Sequence, residues 1–165
     1  MSNEFNELFA ANIDFQAGFK SQDLTGFALK GLAIVTCMDS RIEPLKVVGL
    51  KAGDAKILRN AGARVTEDVL RTLVLATHLL GVKRVLVMPH TDCRMASGDE
   101  DSIHASIMES SGIDTRSIEI RTVKDQIAAL KTDVLRIQTF PLLSEDLEVI
   151  GAVYDVKTGK LEKII

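Results

Sequence analysis

The sequence lacks the features that are typical of exported, membrane-spanning and nucleic-acid-binding proteins. No apolar stretch approaches the roughly 18 residues that a membrane-spanning helix needs. Residues 1–12 have neither the basic region nor the apolar run of a signal peptide. The net charge of −3 and the isoelectric point near 5.6 give no sign of a basic surface for nucleic acid. We therefore expect a cytoplasmic protein whose partners include neither a membrane nor a nucleic acid.

Cysteine is also scarce, because the 165 residues contain only Cys37 and Cys93. A disulfide between them would be unusual in a protein that is not exported. The redox motif C-x-x-C is absent, and so are the phosphate-binding patterns G-x-G-x-x-G and the P-loop. The two cysteines therefore need an explanation outside the common redox and nucleotide-binding signatures.

Short apolar runs alternate with helical patterns along most of the chain. We predict buried strands at 31–35, 55–60, 83–89 and 134–140. Helices are predicted at 67–80, with Thr66 as the N-cap and Gly81 as the stop, at 103–110 and at 117–131. Residues 147–164 alternate in polarity around a turn at 157–159, which predicts a C-terminal hairpin. This order predicts an α/β fold over residues 1–165 as one domain, with a mainly parallel central sheet flanked by helices and a C-terminal antiparallel edge hairpin.

Residues 1–27 precede the first predicted strand, and we interpret them as an N-terminal helical arm. A roughly helical apolar stripe in this arm contains Phe5, Leu8, Phe9, Ile13 and Phe15. Two interpretations are open at this point. The arm either covers a sheet face of its own subunit or packs on a second subunit.

Both cysteines follow predicted strands, at the carboxyl ends where open α/β sheets bind ligands. The stretch TCMDSR places Asp39 and Arg41 after Cys37, and the stretch PHTDC places His90 three residues before Cys93. Two thiolates and an imidazole suit zinc, and a catalytic zinc site keeps its fourth position for water or substrate. The pattern H-x-x-C alone is weak evidence, but it becomes strong when C-x-D-x-R stands at another strand end.

With these residues the sequence resembles the β-class carbonic anhydrases. The similarity is carried by the stretches CMDSR, GDAKILRNAG at 53–62, LRTL at 70–73, LLGVKRVLVMPHTDC at 79–93 and GAVYDVKTGKL at 151–161. The resemblance implies that Cys37, His90 and Cys93 bind Zn²⁺ and that Asp39 and Arg41 form a catalytic dyad beside it. It also implies a homodimer or a dimer of dimers.

The implied reaction is the reversible hydration of carbon dioxide to bicarbonate and a proton. Zinc acidifies water, and the hydroxide that results attacks carbon dioxide. Ionised Asp39 can only accept hydrogen bonds, so it would orient this hydroxide, and Arg41 would keep Asp39 ionised and aimed. If this pair breaks, Asp39 is expected to turn onto the zinc as a fourth ligand in a closed state.

Some residues depart from the family pattern or have weaker roles. Arg94 follows Cys93 where the family usually has glycine, and it either stabilises an anion or points to solvent. The absence of tryptophan means that the tryptophan-containing bicarbonate regulatory pocket of some members is not implied here. We interpret His78 as a structural helix residue and His104 as a solvated loop or helix-start residue. Asp92 is interpreted as a structural residue that either orients its local turn or forms a hydrogen bond next to the metal ligands.

Two other functions fit the same residues. Hydrolases of carbonyl sulfide or carbon disulfide resemble the compact β-class and share its zinc ligands, and a long apolar entrance tunnel would favour them. A non-catalytic zinc-sensing or redox-sensing module would use Cys37 and Cys93 as a switch. Such a module needs neither Asp39 nor Arg41.

Overall fold

The computed structural model describes residues 5–165, in which five strands form one sheet with the order β2-β1-β3-β4-β5. The strands are β1 Leu32–Cys37, β2 Ala55–Asn60, β3 Arg84–Met88, β4 Glu148–Tyr154 and β5 Leu161–Lys163. The first four strands are parallel to one another, and β5 runs antiparallel to β4 at the edge. The predicted α/β class, with a mainly parallel sheet and a C-terminal antiparallel pair, is confirmed.

The helices are α1 Asn6–Ala17, α2 Pro44–Val47, α3 Glu67–Leu79, α4 Glu100–Ser111 and α5 Gln126–Gln138. As predicted, α3 begins after Thr66, whose side chain accepts a hydrogen bond from the backbone N–H of Val69 at 3.4 Å. The chain leaves α3 through Gly81, which has a φ of +75°. The helix predicted at 103–110 is confirmed as α4. It begins earlier because Asp99 caps it, and it continues to Ser111, where Gly112 ends it. None of the helices within residues 5–165 is long and apolar enough to cross a membrane.

The predictions for residues 117–140 were wrong. The helix expected at 117–131 begins only at Gln126, and the residues expected to form a strand at 134–140 are mostly the second half of this helix, α5. Asp125 sets its start, because its carboxylate accepts hydrogen bonds from the backbone N–H groups of Ile127 and Ala128. The buried side chains on α5 include Leu130, Val134 and Ile137, whose spacing of four and three residues is helical. The fourth parallel strand is β4, which was predicted as the first arm of the C-terminal hairpin.

The two faces of the sheet differ in what covers them. On one face, α3 and α5 bury apolar side chains against Ala33 and Val35 of β1 and their neighbours on β3. On the other face, Ile34 of β1 and Leu86 of β3 join a smaller cluster that contains both cysteines. Part of this second face remains open, since Ile150 on β4 is 40% exposed.

Helix α1 lies apart from both faces. All of its residues are exposed, and the five side chains of the predicted apolar stripe are between 59% and 71% exposed. The chain returns to the sheet after α1, where Leu24 packs near Gly53 and Phe27 packs near Gly81. The helix therefore does not cover a sheet face of its own subunit. Residues 1–4 of the predicted arm lie outside the described part of the chain.

Candidate metal centre

The ends of the neighbouring strands β1 and β3 bring three predicted ligands together. Cys37 is the last residue of β1, and His90 and Cys93 lie in the loop after β3. Because the two strands are parallel and pair Thr36 with Met88, both loops leave from the same edge of the sheet. One ligand atom from each of the three residues lies within 4.8 Å of the others, and all three residues are buried.

The ring of His90 is oriented with one nitrogen free. Its Nδ1 lies 2.8 Å from the carbonyl oxygen of Thr91 and donates to it, because a carbonyl only accepts. This bond leaves Nε2 with its lone pair, and within the described residues this buried atom has no hydrogen-bond partner. A buried nitrogen without a partner is unfavourable unless it binds something, and a metal ion would satisfy it.

The two sulfur atoms have a separation that suits one metal ion. The Sγ atoms of Cys37 and Cys93 lie 4.0 Å apart, and both thiols are free. Two sulfurs on a tetrahedral zinc, with Zn–S bonds of about 2.3 Å, would lie about 3.8 Å apart. The donor set therefore fits Zn²⁺ in both chemistry and spacing.

The surroundings of the sulfurs disfavour two thiolates without a cation. Burial, together with the nearby Cys37 thiol, raises the pKa of Cys93 to about 11, although the backbone N–H groups of Met95 and Ala96 act in the opposite direction. The N–H of Gly62 also points at a sulfur, donating to Cys37 Sγ at 3.4 Å. A metal cation between the sulfurs would supply the charge that deprotonates them.

Asp39 and Arg41 form a bidentate ion pair next to the three candidate ligands. The Nε of Arg41 donates to Oδ1 of Asp39 at 2.9 Å, and its Nη2 donates to Oδ2 at 2.8 Å. The side chain and the backbone N–H of Arg41 hold the pKa of Asp39 well below its usual range. Asp39 Oδ2 lies 3.7 Å from His90 Nε2, so an ionised carboxylate faces the ligand set.

The same guanidinium joins the two loops of the site. Arg41 Nη1 donates to the Asp92 carboxylate at 2.8 Å, and Nη2 donates to the Asp92 carbonyl at 3.1 Å. Asp92 itself has a φ of +55°, which is uncommon for a residue other than glycine. The sequence interpretation of Asp92 allowed a hydrogen bond next to the ligands but did not identify Arg41, on the Cys37 loop, as its partner.

The other residues considered from the sequence lie outside the cluster. Arg94 is exposed on the turn after Cys93. The Nε2 of His78 lies 2.9 Å from the carbonyl oxygen of Leu142. The prediction that His104 is solvated was wrong, because it is buried on α4 and its Nδ1 lies 2.8 Å from Thr115 Oγ1.

Sequence reasoning also missed two contacts from β2 and the turn that follows it. Gly62 donates its N–H to a sulfur, as described above, and Arg59 donates to carbonyl groups of the loop that carries Asp39. Both residues lie in the stretch GDAKILRNAG, which carries part of the family resemblance, but the resemblance alone implies no role for either residue.

An open recess lies beside Arg41 and has a volume of about 380 Å³. It is lined by Arg41, Glu43, Lys46, Val47, Tyr154 and Gly159. Its walls are therefore largely charged or polar. Lys46 is paired with Glu43 in this lining, and Arg41 is paired with Asp39 and Asp92.

Comparisons with known proteins agree on one family. The family model described as carbonic anhydrase matches residues 32–111. The chain is 35% identical over 160 residues to β-carbonic anhydrase 1 of Mycobacterium tuberculosis, with 96% of each chain covered. It is 29% identical to a carbon disulfide hydrolase of an Acidianus species, over 80% of this chain and 76% of that protein. Among solved structures, the carbonic anhydrase of Streptococcus mutans superimposes with a TM-score of 0.91 at 32% identity, covering 100% of this chain and 99% of that one.

Proposed function

The chain belongs to the β-carbonic anhydrases, a family of enzymes, and we propose that it catalyses the reversible hydration of carbon dioxide to bicarbonate and a proton. One observation carries the proposal. A Cys-His-Cys group, with its ligand atoms within 4.8 Å of one another, lies beside a carboxylate that is held ionised by an arginine. This arrangement combines a zinc-binding set with a fixed hydrogen-bond acceptor.

We assign zinc binding to Cys37, His90 and Cys93. When bound, zinc supplies the acidity that makes hydroxide available from water near neutral pH. Two thiolates offset the charge of Zn²⁺, so this ligand set acidifies water less than three neutral imidazoles would. Free thiols at both cysteines suit a reducing compartment, and we place the enzyme in the cytoplasm.

Asp39 acts in this proposal as the residue that orients the nucleophile. An ionised carboxylate only accepts hydrogen bonds, so Asp39 holds the O–H of an attacking hydroxide and leaves its lone pair for the carbon of carbon dioxide. Arg41 keeps the carboxylate ionised and in place through two parallel hydrogen bonds. Because Asp39 Oδ2 is only 3.7 Å from His90 Nε2, loss of this pair would let Asp39 turn onto the metal in a closed state.

The charged recess beside Arg41 favours carbon dioxide over carbon disulfide as the substrate. Bicarbonate is an anion, and a recess lined mainly by charged and polar residues suits this product better than an apolar tunnel would. A long apolar entrance would favour carbon disulfide or carbonyl sulfide, and the recess that borders Arg41 does not have this character. The similarity to a carbon disulfide hydrolase nevertheless makes sulfur compounds the second candidate substrates.

A direct comparison of substrates tests the proposed function. The zinc-loaded protein is assayed for carbon dioxide hydration by stopped flow and for carbon disulfide consumption under the same conditions, with Cys37→Ser as the control without its full ligand set. We expect carbon dioxide hydration that depends on Cys37 and negligible turnover of carbon disulfide. Turnover of carbon disulfide without carbon dioxide hydration would establish the second candidate instead.

We also propose a homodimer, or a dimer of dimers, in which α1 packs on a second copy of the chain. Helix α1 leaves its large apolar side chains exposed, and monomers rarely expose patches of this kind. The open face of the sheet has an apolar groove of about 420 Å³, whose lining includes Leu32, Val48, Leu50, Leu86, Ile150 and Leu161. In a symmetric pair, each helix could cover such a surface on the other subunit.

A further inference from the structure

A single side chain binds three backbone carbonyls in the loop that carries Asp39 and Arg41. Arg59 donates from Nε to the carbonyl of Cys37 at 2.9 Å, from Nη2 to that of Asp39 at 2.5 Å and from Nη1 to that of Ile42 at 3.2 Å. All three guanidinium nitrogens are therefore used on one loop, which begins at a proposed zinc ligand.

The pairing of β2 with β1 places Arg59 under this loop. The two strands are parallel, with Arg59 opposite Thr36 and Asn60 opposite Cys37. Side chains alternate along a strand, so Ile57 and Arg59 lie on the same face. Ile57 packs against the cluster that contains Cys37 and Ile42, and Arg59 continues along that face to the loop above it.

The geometry of the contact suits a guanidinium better than an ammonium group. Within residues 5–165, no carboxylate lies in ion-pair contact with Arg59, so its charge acts on the carbonyl dipoles alone. Hydrogen bonds from an ionised donor are stronger than those between neutral groups. The planar fork of arginine addresses several acceptors at once, whereas lysine carries one compact charge.

Other contacts also hold this loop, including the bonds from Arg41 to Asp92 and the burial of Ile42. Its backbone hydrogen bonds include those from Met38 N to Asn60 O at 2.9 Å and from Ile42 N to Asp39 O at 3.1 Å. The first bond ties the loop to β2, and the second lies within the loop. The Arg59 side chain thus adds three bonds between β2 and the segment on which Cys37 and Asp39 stand.

We infer that Arg59 is a positioning residue of the metal centre. It fixes the loop so that Cys37 Sγ and the Asp39 carboxylate keep their places relative to His90 and Cys93. The expected effect on catalysis rests on the proposed function, but the expected effect on metal retention requires only that the site binds zinc.

The test compares Arg59→Ala and Arg59→Lys with Arg84→Ala. Arg84 is a matched control, since it is also an exposed strand arginine that donates to a backbone carbonyl, that of Lys30 at 3.2 Å, near the amino end of the sheet. Each zinc-loaded protein is mixed with a coloured chelator to measure zinc release, and each cobalt-substituted protein gives a visible spectrum. Melting temperatures and the kcat and KM for carbon dioxide complete the comparison.

We expect Arg59→Ala to release zinc about 10- to 100-fold faster than the wild type, with an altered cobalt spectrum and a lower kcat at similar KM. The zinc release of Arg59→Lys should fall between that of Arg59→Ala and that of the wild type, because lysine can replace only part of the hydrogen bonds of the guanidinium. Arg84→Ala should match the wild type in zinc release and spectrum. If Arg59→Ala does not fold, Arg59→Lys decides on the same measurements.

Wild-type zinc release and an unchanged cobalt spectrum in the Arg59 variants would overturn the inference, even if their melting temperatures fell. Such a result would give Arg59 a role in stability alone. Failure of the proposed function looks different: the wild-type protein would bind zinc without hydrating carbon dioxide, and the zinc-release comparison would still decide the role of Arg59.

Discussion

At the scale of single residues, a second Asp-Arg pair has the same geometry as Asp39 and Arg41. Asp114 and Arg116 are also two residues apart, and Arg116 donates to Asp114 from its backbone N–H at 3.0 Å, from Nε at 2.9 Å and from Nη2 at 2.6 Å. The geometry of the pair is thus a local turn that this sequence uses twice. Only the first copy stands beside the Cys-His-Cys group, and its location rather than its form makes it a candidate for catalysis.

The Asp114–Arg116 pair provides a control for the proposed dyad of Asp39 and Arg41. We predict that Arg41→Ala retains zinc, because Arg41 is not a ligand, but lowers carbon dioxide hydration by about 10- to 100-fold since Asp39 is no longer held. Arg116→Ala breaks the same kind of turn away from the site and should leave the rate unchanged. Metal analysis and stopped-flow rates on both variants check this, and full activity of Arg41→Ala would remove the dyad from the mechanism.

Gly62 combines a positive φ with close packing at the site. Its φ is +79°, and a Cβ placed on it would lie 3.1 Å from the Cβ of Met95. Gly62→Ala should therefore lose about 1–2 kcal/mol for the backbone conformation and more for the contact with Met95, and it should release zinc faster because the N–H beside Cys37 Sγ shifts.

The matched variant is Gly112→Ala. Gly112 has a φ of +72° but open space around its added Cβ, so this variant reports the backbone term alone. Urea unfolding and zinc release of the two proteins separate the terms. Equal unfolding losses and equal zinc release would show that packing against Met95 plays no part.

At the scale of elements, Glu67 connects the start of α3 to α5 and to the loop that precedes α5. Its carboxylate accepts hydrogen bonds from Arg136 at 2.6 Å and from Arg121 at 3.2 Å. The hydrogen bond from Arg136, then the backbone N–H of Glu67 itself and the nearby Arg121, lower the pKa of Glu67 from 4.5 to about 2. A carboxyl group whose pKa is lower in the folded state stabilises the fold at pH values above its pKa in the unfolded chain. This stabilisation is lost as the pH falls toward its pKa in the folded state.

We predict that Glu67→Gln is less stable than the wild type above pH 4.5 and that the difference shrinks between pH 4.5 and about 2. Urea midpoints measured across this pH range test the prediction. Glu109→Gln, at an exposed position on α4 without an ion pair among the described residues, serves as the control. A difference between Glu67→Gln and the wild type that stays constant down to pH 2 would contradict the assigned titration.

The elements also show which features are readable from sequence. The ends of β1 and β3 were predictable because each strand is a local apolar run followed by its own polar motif, and the parallel order then brings Cys37 and His90 together. The prediction of a strand at 134–140 was wrong because the apolar content of this run suits a strand. Its helical spacing appears only when Leu130 is included. The role of Arg59 depends on the register between β1 and β2, which no local pattern encodes.

At the scale of the whole molecule, we expect α1 to act in the assembly of subunits. A helix of 12 residues is marginal on its own in water, and this one has no buried residue in its own subunit. We predict that deleting residues 1–15 reduces both the oligomer size and carbon dioxide hydration, although every proposed zinc ligand remains. Leu142→Ser, at an exposed apolar position outside the arm, should change neither.

Light scattering and rate assays on the truncated protein decide this point. A truncated chain that keeps the size and the activity of the full-length assembly would exclude α1 from the contact between subunits. The apolar groove on the open face of the sheet would then need another partner.

Zinc content and carbon dioxide hydration, determined on the same preparation, test the central claim most directly. We predict about one zinc per chain, a hydration rate that falls as a chelator removes the metal and recovers when zinc is restored, and loss of both metal and rate in Cys37→Ser. A folded, metal-free protein that hydrates carbon dioxide at the full rate would contradict the account.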